Sequence, residues 1–321
     1  MINTIAKKND HISIEELSAL LEHQLSCYAA KIGCKVSLEP LGRKKPIEDT
    51  TTVVLVRGAK GRPQAVINCS RSSSPDLIMR GVEAAKSISK MIGEQLGTAI
   101  IRPISQGYIA GRSYVMLPWY REIPKRKPHK LWYRMSLRRP ILNWLSQATA
   151  STAATHKHSA ESALAFDNML QHLIQQNFVD SDKRNAIKKS LKRLENGKWQ
   201  PRHTFDHNDL WLGNIMLSSQ TRNDEKNHYP FVLIDWAGAN HCGYGIYDLI
   251  RLSRGLRLSP KSLRKQLVAH SLALKCELKD TKGHLLSAFG RLHQHLEYFP
   301  EDRFVDTFQA CWSTMSNALP E

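Results

Sequence analysis

The chain is short of negative charge. Its 29 Asp and Glu stand against 46 Lys and Arg, and the formal net charge is +17 over 321 residues. A field of that sign gathers polyanions, anionic head groups or phosphorylated molecules, and opposes cations. Long hydrophobic runs are also missing. Nowhere do about 18 apolar residues follow one another, which excludes a membrane-spanning helix. The opening stretch MINTIAKKNDHISIEEL has no apolar segment and places acids early, so it is not read as a signal peptide, and a cytoplasmic chain is expected. Cysteines number six and are scattered, with no Cys-x-x-Cys pair. That pattern argues against a disulfide framework or a zinc site and leaves reduced thiols. Asn68-Cys69-Ser70 has the glycosylation spacing, which is without meaning in a chain that is not secreted. No internal repeat and no long low-complexity segment is visible. What remains is an ordinary globular composition, 41% apolar and 23% charged, long enough for one large or two small domains.

The hydrophobic periodicity changes along the chain. Residues 13–32 repeat as an amphipathic helix, with Ser13 as N-cap, Glu16 three places on, and Gly33 as the stop. Strands follow at 35–42, 50–58 and 63–70, the last two joined by the turn GAKGR. Residues 74–97 have helical spacing, and YIAGRSYVMLPWY reads as a hairpin turning at Ala110-Gly111. From about residue 135 the chain is helical, with strands returning only around HNDLWLGNIML (207–217) and HYPFVLIDWAG (228–238). This is an α+β order in two lobes, a small β-rich part and a larger, mostly helical part. The expected divisions are an N-terminal helix over 1–33, then 34–117, then 118–321.

Chemistry concentrates in the second part. In HNDLWLGNIML, His207, Asp209 and Asn214 interrupt an apolar run, and such residues are either satisfied core groups or face a site. Asp235 ends the apolar run FVLI, and a carboxylate at a buried strand end is costly unless paired or bound to a metal. Asn214 and Asp235 offer the oxygen ligands that Mg²⁺ prefers, and Asp209 is left to orient a hydroxyl or accept its proton. Trp211 and Trp236 read as packing residues, and His207 as a satisfied buried histidine rather than a proton carrier.

HNDLWLGNIM followed by VLIDWAGANHCGYGIYDLIRL resembles the paired signatures of the aminoglycoside phosphotransferase and choline kinase superfamily, relatives of the protein kinases. His207-x-Asp209-Leu210-x-x-x-Asn214 is similar to the kinase catalytic loop, Ile234-Asp235-Trp236 stands in place of Asp-Phe-Gly, and Tyr247-Asp248-Leu249 matches a further element. The resemblance is specific over 207–252 and weak elsewhere. It implies a protein-kinase-like fold with a nucleotide-binding N-lobe and a C-lobe for catalysis and the acceptor. It also implies an ATP- and Mg²⁺-dependent kinase. Asp209 then matches the catalytic base, His207 the residue that braces the catalytic loop beside it, and Asn214 and Asp235 the metal ligands. Asp248 would hold the loop backbone, Leu117 lies in the hinge SYVMLPWY beside the nucleotide, and Glu83 would pair with a phosphate-binding lysine. Asn68 stands where that lysine belongs, and it cannot carry the charge. Arg71, or Arg43, Lys44 or Lys45 of the loop GRKKPIEDT, is the substitute; otherwise nucleotide binding is weak. That loop has one glycine, Gly42, so no glycine-rich phosphate cradle is visible.

The segment 120–140, YREIPKRKPHKLWYRMSLRRP, carries eight cations against Glu122, with Trp132 and Tyr133 interleaved. It reads as a solvated loop, as a surface for anionic lipid or glycan, or as a groove where nucleic-acid bases stack. The charge favours an anionic acceptor, such as a sugar or lipid-linked glycan of the lipopolysaccharide-core type, at the inner face of the membrane. A choline, fructosamine or aminoglycoside type of acceptor, and a kinase-like scaffold that binds polyanions, are the alternatives.

Overall fold

The structure is a computed structural model that describes residues 12–41, 51–156, 158–218, 229–296 and 299–320. The chain divides into two compact units. One comprises Met1–Ala85 with Ile101–Arg121, the other Lys86–Ile100 with Glu122–Glu321.

The first unit begins with α1 (Ile14–Leu20) and α2 (Glu22–Ile32). Ser13 caps α1 by accepting the Glu16 N–H, and Gly33 ends α2 in the left-handed region at φ 67°. The expected single helix is thus broken at Leu21. Next come β1 (Ser37–Pro40), β2 (Thr51–Arg57) and β3 (Pro63–Ser70), then α3 (Leu77–Ile92), which runs into the second unit. The hairpin β4 (Ser105–Ile109) and β5 (Arg112–Pro118) completes an antiparallel sheet in the order β1-β2-β3-β5-β4. Ala110 and Gly111 both adopt positive φ, as a two-residue hairpin turn requires. Alternation sorts the faces: Ala65, Ile67 and Cys69 of β3 pack with Leu17, Leu21 and Leu25 from the helices.

In the second unit α4 (Glu94–Gly97) follows Gly93, whose φ of 87° interrupts the helix expected over 74–97. After β6 (Arg121–Glu122), α5 runs from Lys127 to Thr155. Most of segment 120–140 is therefore helix rather than loop. Pro128 sits in the first turn, where a missing N–H costs nothing, and Pro140 lies inside. The helices α6 (Ala160–Ile174) and α7 (Ser181–Glu195) lead to β7 (Thr204–Asp206), β8 (Ile215–Leu217), β9 (Phe231–Leu233) and β10 (Asn240–Gly243). β7 pairs with β10, and β6, β8 and β9 form a second small sheet. The chain closes with α8 (Ile246–Leu256), α9 (Pro260–Ala273), α10 (Asp280–Gln294) and α11 (Glu301–Ala318). α10 lies against five helices, α6 to α9 and α11, hence its nearly unbroken run of buried residues. Gly290 permits the approach to α6: a Cβ there would meet the Met169 carbonyl oxygen at 2.2 Å.

Candidate active site

The loop between β7 and β8 is built from residues whose polar atoms are spent on holding its path. Asn208 stands at φ 62° and donates from Nδ2 to Asp206 Oδ1 (2.8 Å) and to the Gly238 carbonyl (2.7 Å). Asp248 on α8 accepts the His207 backbone N–H at 2.5 Å and also that of Leu210. One carboxylate thus fixes the loop on both sides of Asp209. The His207 ring is buried 4.5 Å from Trp236, and its Nε2–H donates to the Ile234 carbonyl at 3.0 Å. Burial pushes its pKa down to about 4, so the ring is neutral near pH 7. Burial acts oppositely on the two acids: Asp206 rises to about 6, and Asp248, also repelled by Asp206, to about 7.

Asp209 is held from three directions. Arg251 Nη2 donates to its Oδ1 at 2.8 Å, Asn214 Nδ2 to its Oδ2 at 2.8 Å, and the Trp211 indole also hydrogen-bonds the carboxylate. Partial burial raises the pKa of Asp209, while Arg251, Asn214 and Trp211 pull it down. Of the two residues read as packing, Trp236 is buried, whereas Trp211 is 47% exposed. Gly213 makes room for the Trp211 ring, since a Cβ there would stand 2.3 Å from it.

Asn214 and Asp235, 21 residues apart, are brought to one end of a hairpin. β8 and β9 pair antiparallel with Ile215 opposite Leu233, and the Ile234 N–H donates to the Asn214 carbonyl at 3.1 Å. Asp235 follows at φ 63°, in the left-handed region. Its side chain is exposed, so the expectation of a buried strand-end carboxylate is corrected: β9 stops at Leu233, and the chain turns outward before Asp235. The Asn214 amide nitrogen is occupied by Asp209, through its carbonyl and carboxylate, and neither bond uses the amide oxygen. That oxygen and the Asp235 carboxylate are hard donors of the kind Mg²⁺ takes.

The other expected residues belong to the first unit. Asn68 pairs with Val53 and Val115 across the sheet, and Leu117 with Val66, so both lie on the face opposite α1 and α2. The Asn68 Oδ1 is buried without a hydrogen-bond partner among the described residues, and so is Nε of Arg71, which follows the same strand. Glu83 lies exposed on α3, close enough to Tyr108 of β4 to help raise its pKa. Gly42, Arg43, Lys44 and Lys45 lie outside the described residues.

Arg251, Asp206 and the exposure of Trp211 are not marked by the motifs of the sequence. Arg251 had a signal, because it stands one helical turn after Asp248 and so shares the face of α8 that meets the loop.

No protein-family model and no curated protein sequence matches the chain. Solved structures do. A protein designated a fructosamine-3-kinase from Haemophilus somnus 129PT superposes with a TM-score of 0.55 at 10% identity, over 93% of this chain and 98% of that one. The GDP complex of an aminoglycoside 2'-phosphotransferase-IIIa mutant gives 0.52 at 13% identity, over 96% and 99%. A thermostable mutant of the aminoglycoside phosphotransferase APH(4)-Ia gives 0.52 at 13%, over 92% and 100%. At such identities the likeness is one of fold alone: the chain has the kinase-like fold of these structures.

Proposed function

We propose that the protein is a kinase that transfers the terminal phosphate of a nucleoside triphosphate, ATP in the first instance, to a hydroxyl group. The observation that carries this reading is the joining of Asp209, Asn214 and Asp235 at one end of the β8–β9 hairpin, on a kinase-like fold. Asp209 orients the acceptor hydroxyl and takes its proton, and the bonds from Arg251, Asn214 and Trp211 favour its ionised form. His207 and Asp248 act as positioning residues for that loop. Asn214 and Asp235 would hold Mg²⁺, which when bound neutralises charge on the phosphates. Asn68, Arg71, Glu83 and Leu117 would serve the nucleotide, with Arg71 supplying the cation that Asn68 lacks.

The acceptor we favour is anionic, a sugar or glycan hydroxyl, including a lipid-linked one. The net charge of +17 supports this, and so does Arg251, which sets a guanidinium beside the reacting carboxylate and disfavours a cationic acceptor there. A small-metabolite kinase is consistent with the same fold.

The test is turnover of ATP and GTP with a panel of sugar, sugar-phosphate and amino-alcohol acceptors. Asp209→Asn is expected to lower kcat by about 10²–10⁴-fold while the chain stays folded, checked by circular dichroism. An unchanged rate removes Asp209 from the role.

Asn68 in place of a charged lysine supports a second reading, a kinase-like scaffold without nucleotide chemistry that binds polyanions, nucleic acid among them. A thermal-shift titration separates the two. Stabilisation by MgATP beyond that by Mg²⁺ alone supports the kinase, and no shift at millimolar MgATP supports the scaffold.

A further inference from the structure

The first three turns of α5 present an unusual surface. Leu131, Trp132 and Met135 are 55%, 62% and 66% exposed, and at about 100° per residue they share one face of the helix with exposed Arg139. Lys125, Arg126 and Lys127 are exposed at its start, with Lys130 half-buried beside them. Along the flank of that face, cations gather without acids. Arg138 Nη2 donates to the carbonyls of Leu256 (3.0 Å) and Arg257 (3.3 Å), which brings the end of α8 against α5. Arg134 lies near enough to the Arg257 guanidinium for the two to repel. Nε of Arg134 and Nε of Arg138 are buried with no hydrogen-bond partner among the described residues. The only ion pair in this group among the described residues joins Lys125 to Glu122, at 3.9 Å on the surface.

Cations gathered at one helix end and exposed to solvent, as Lys125, Arg126, Lys127, Arg139 and Arg257 are, call for anions. Three large apolar side chains beside them call for a non-aqueous contact. Phosphate next to hydrocarbon is the composition of a phospholipid surface. We propose that this face of α5, with Arg134, Arg138 and Arg257 at its edge, docks the protein on an anionic bilayer, Trp132 and Met135 entering the head-group layer. Nucleic acid offers the charge but gives no reason for exposed Leu131 and Met135, which do not stack on bases. The proposal stands whether or not the chain transfers phosphate, but if it does, the surface would bring it to a lipid-linked acceptor.

The experiment is flotation of the full-length chain, without nucleotide, on vesicles of phosphatidylcholine alone and with phosphatidylglycerol added. Binding is expected only with phosphatidylglycerol, weakened about tenfold or more by 0.5 M salt. It should fall about tenfold in Trp132→Ser/Met135→Ser, whose exposed positions leave the thermal midpoint unchanged, and also in Lys127→Gln/Arg139→Gln. Millimolar glycerol phosphate should not displace the vesicles. Absence of binding overturns the proposal, as does equal binding to neutral vesicles or full binding by the folded serine variant. Displacement by glycerol phosphate would point to a free-phosphate site instead. Tight binding of a single-stranded oligonucleotide that the serine variant loses, with vesicle binding intact, would assign the face to nucleic acid.

Discussion

At the scale of single residues, Asp209 is governed by opposing effects. Partial burial favours the neutral acid, whereas Arg251, Asn214 and Trp211 favour the carboxylate. Arg251 is the largest of the lowering influences, and its side chain is four-fifths shielded from solvent. Arg251→Gln is therefore expected to raise the pKa of Asp209 and move the acidic limb of the pH–rate profile to higher pH. A purely structural arginine would lower stability and leave the limb where it is. Asp209, Asn214 and Asp235 were legible as candidates because polar residues in apolar runs demand an explanation. Arg251 and Trp211 were not singled out. Arg251, in the second turn of α8, was marked only by its spacing from Asp248, and the path of the loop, not its composition, turns the Trp211 indole toward Asp209. Asn68 was legible as a missing charge, and the structure adds that its amide oxygen has no partner among the described residues.

At the scale of elements, the strands were the clearest part of the sequence. A period of two sends every second side chain into one core, and β2 and β3 follow their β-branched runs closely. Leu17 of α1 belongs to that core and is fully buried against the sheet. Leu17→Ala should cost about 2–5 kcal/mol, measured by denaturant unfolding, and a loss below 1 kcal/mol would mean that the helix is not docked on the sheet. Helix limits were harder to read. Residues 13–32 and 74–97 keep a helical period through Leu21 and Gly93, yet the helix is interrupted at both, because period reports which face is buried and not whether each residue keeps helical dihedrals. The start of α5 was obscured by Pro128, Pro140 and dense positive charge, all marks of a loop. Pro128 falls in the first turn, where proline fits, and burial of Leu137, Ile141 and Leu142 carries the helix through Pro140.

At the scale of the whole molecule, buried ionisable groups set the response to acid. Among the described residues His172, His203, His207, His270 and His284 have lowered pKa values, chiefly through burial. They bind protons more readily when the chain unfolds, so what they contribute is present above their ordinary value of 6.5 and is lost as pH falls below it. Asp206, Asp209 and Asp248 are raised by burial and act in the opposite sense, losing stability as pH rises from their ordinary 3.8. Among the described residues the lowered histidines outnumber the raised carboxylates, and His207, His270 and His284 fall to about 4 or below, which favours proton uptake by the unfolded chain. Stability should increase with pH between about 4.5 and 6, read from urea midpoints. A midpoint that falls over this interval would reverse the sign and show that the carboxylates dominate.

The sequence by itself determined the charge, the two-part α+β order and the apolar run in which Asp209 and Asn214 stand out. These depend on residue type and local period, which need no distant partner. Tertiary structure alone decided that Asp235 arrives beside Asn214, that Arg251 reaches Asp209, and that α5 leaves Trp132 and Met135 exposed. Each is a contact, or the lack of one, between segments far apart in the chain. It is set by strand register and helix packing, which the spacing of residues within a segment does not encode.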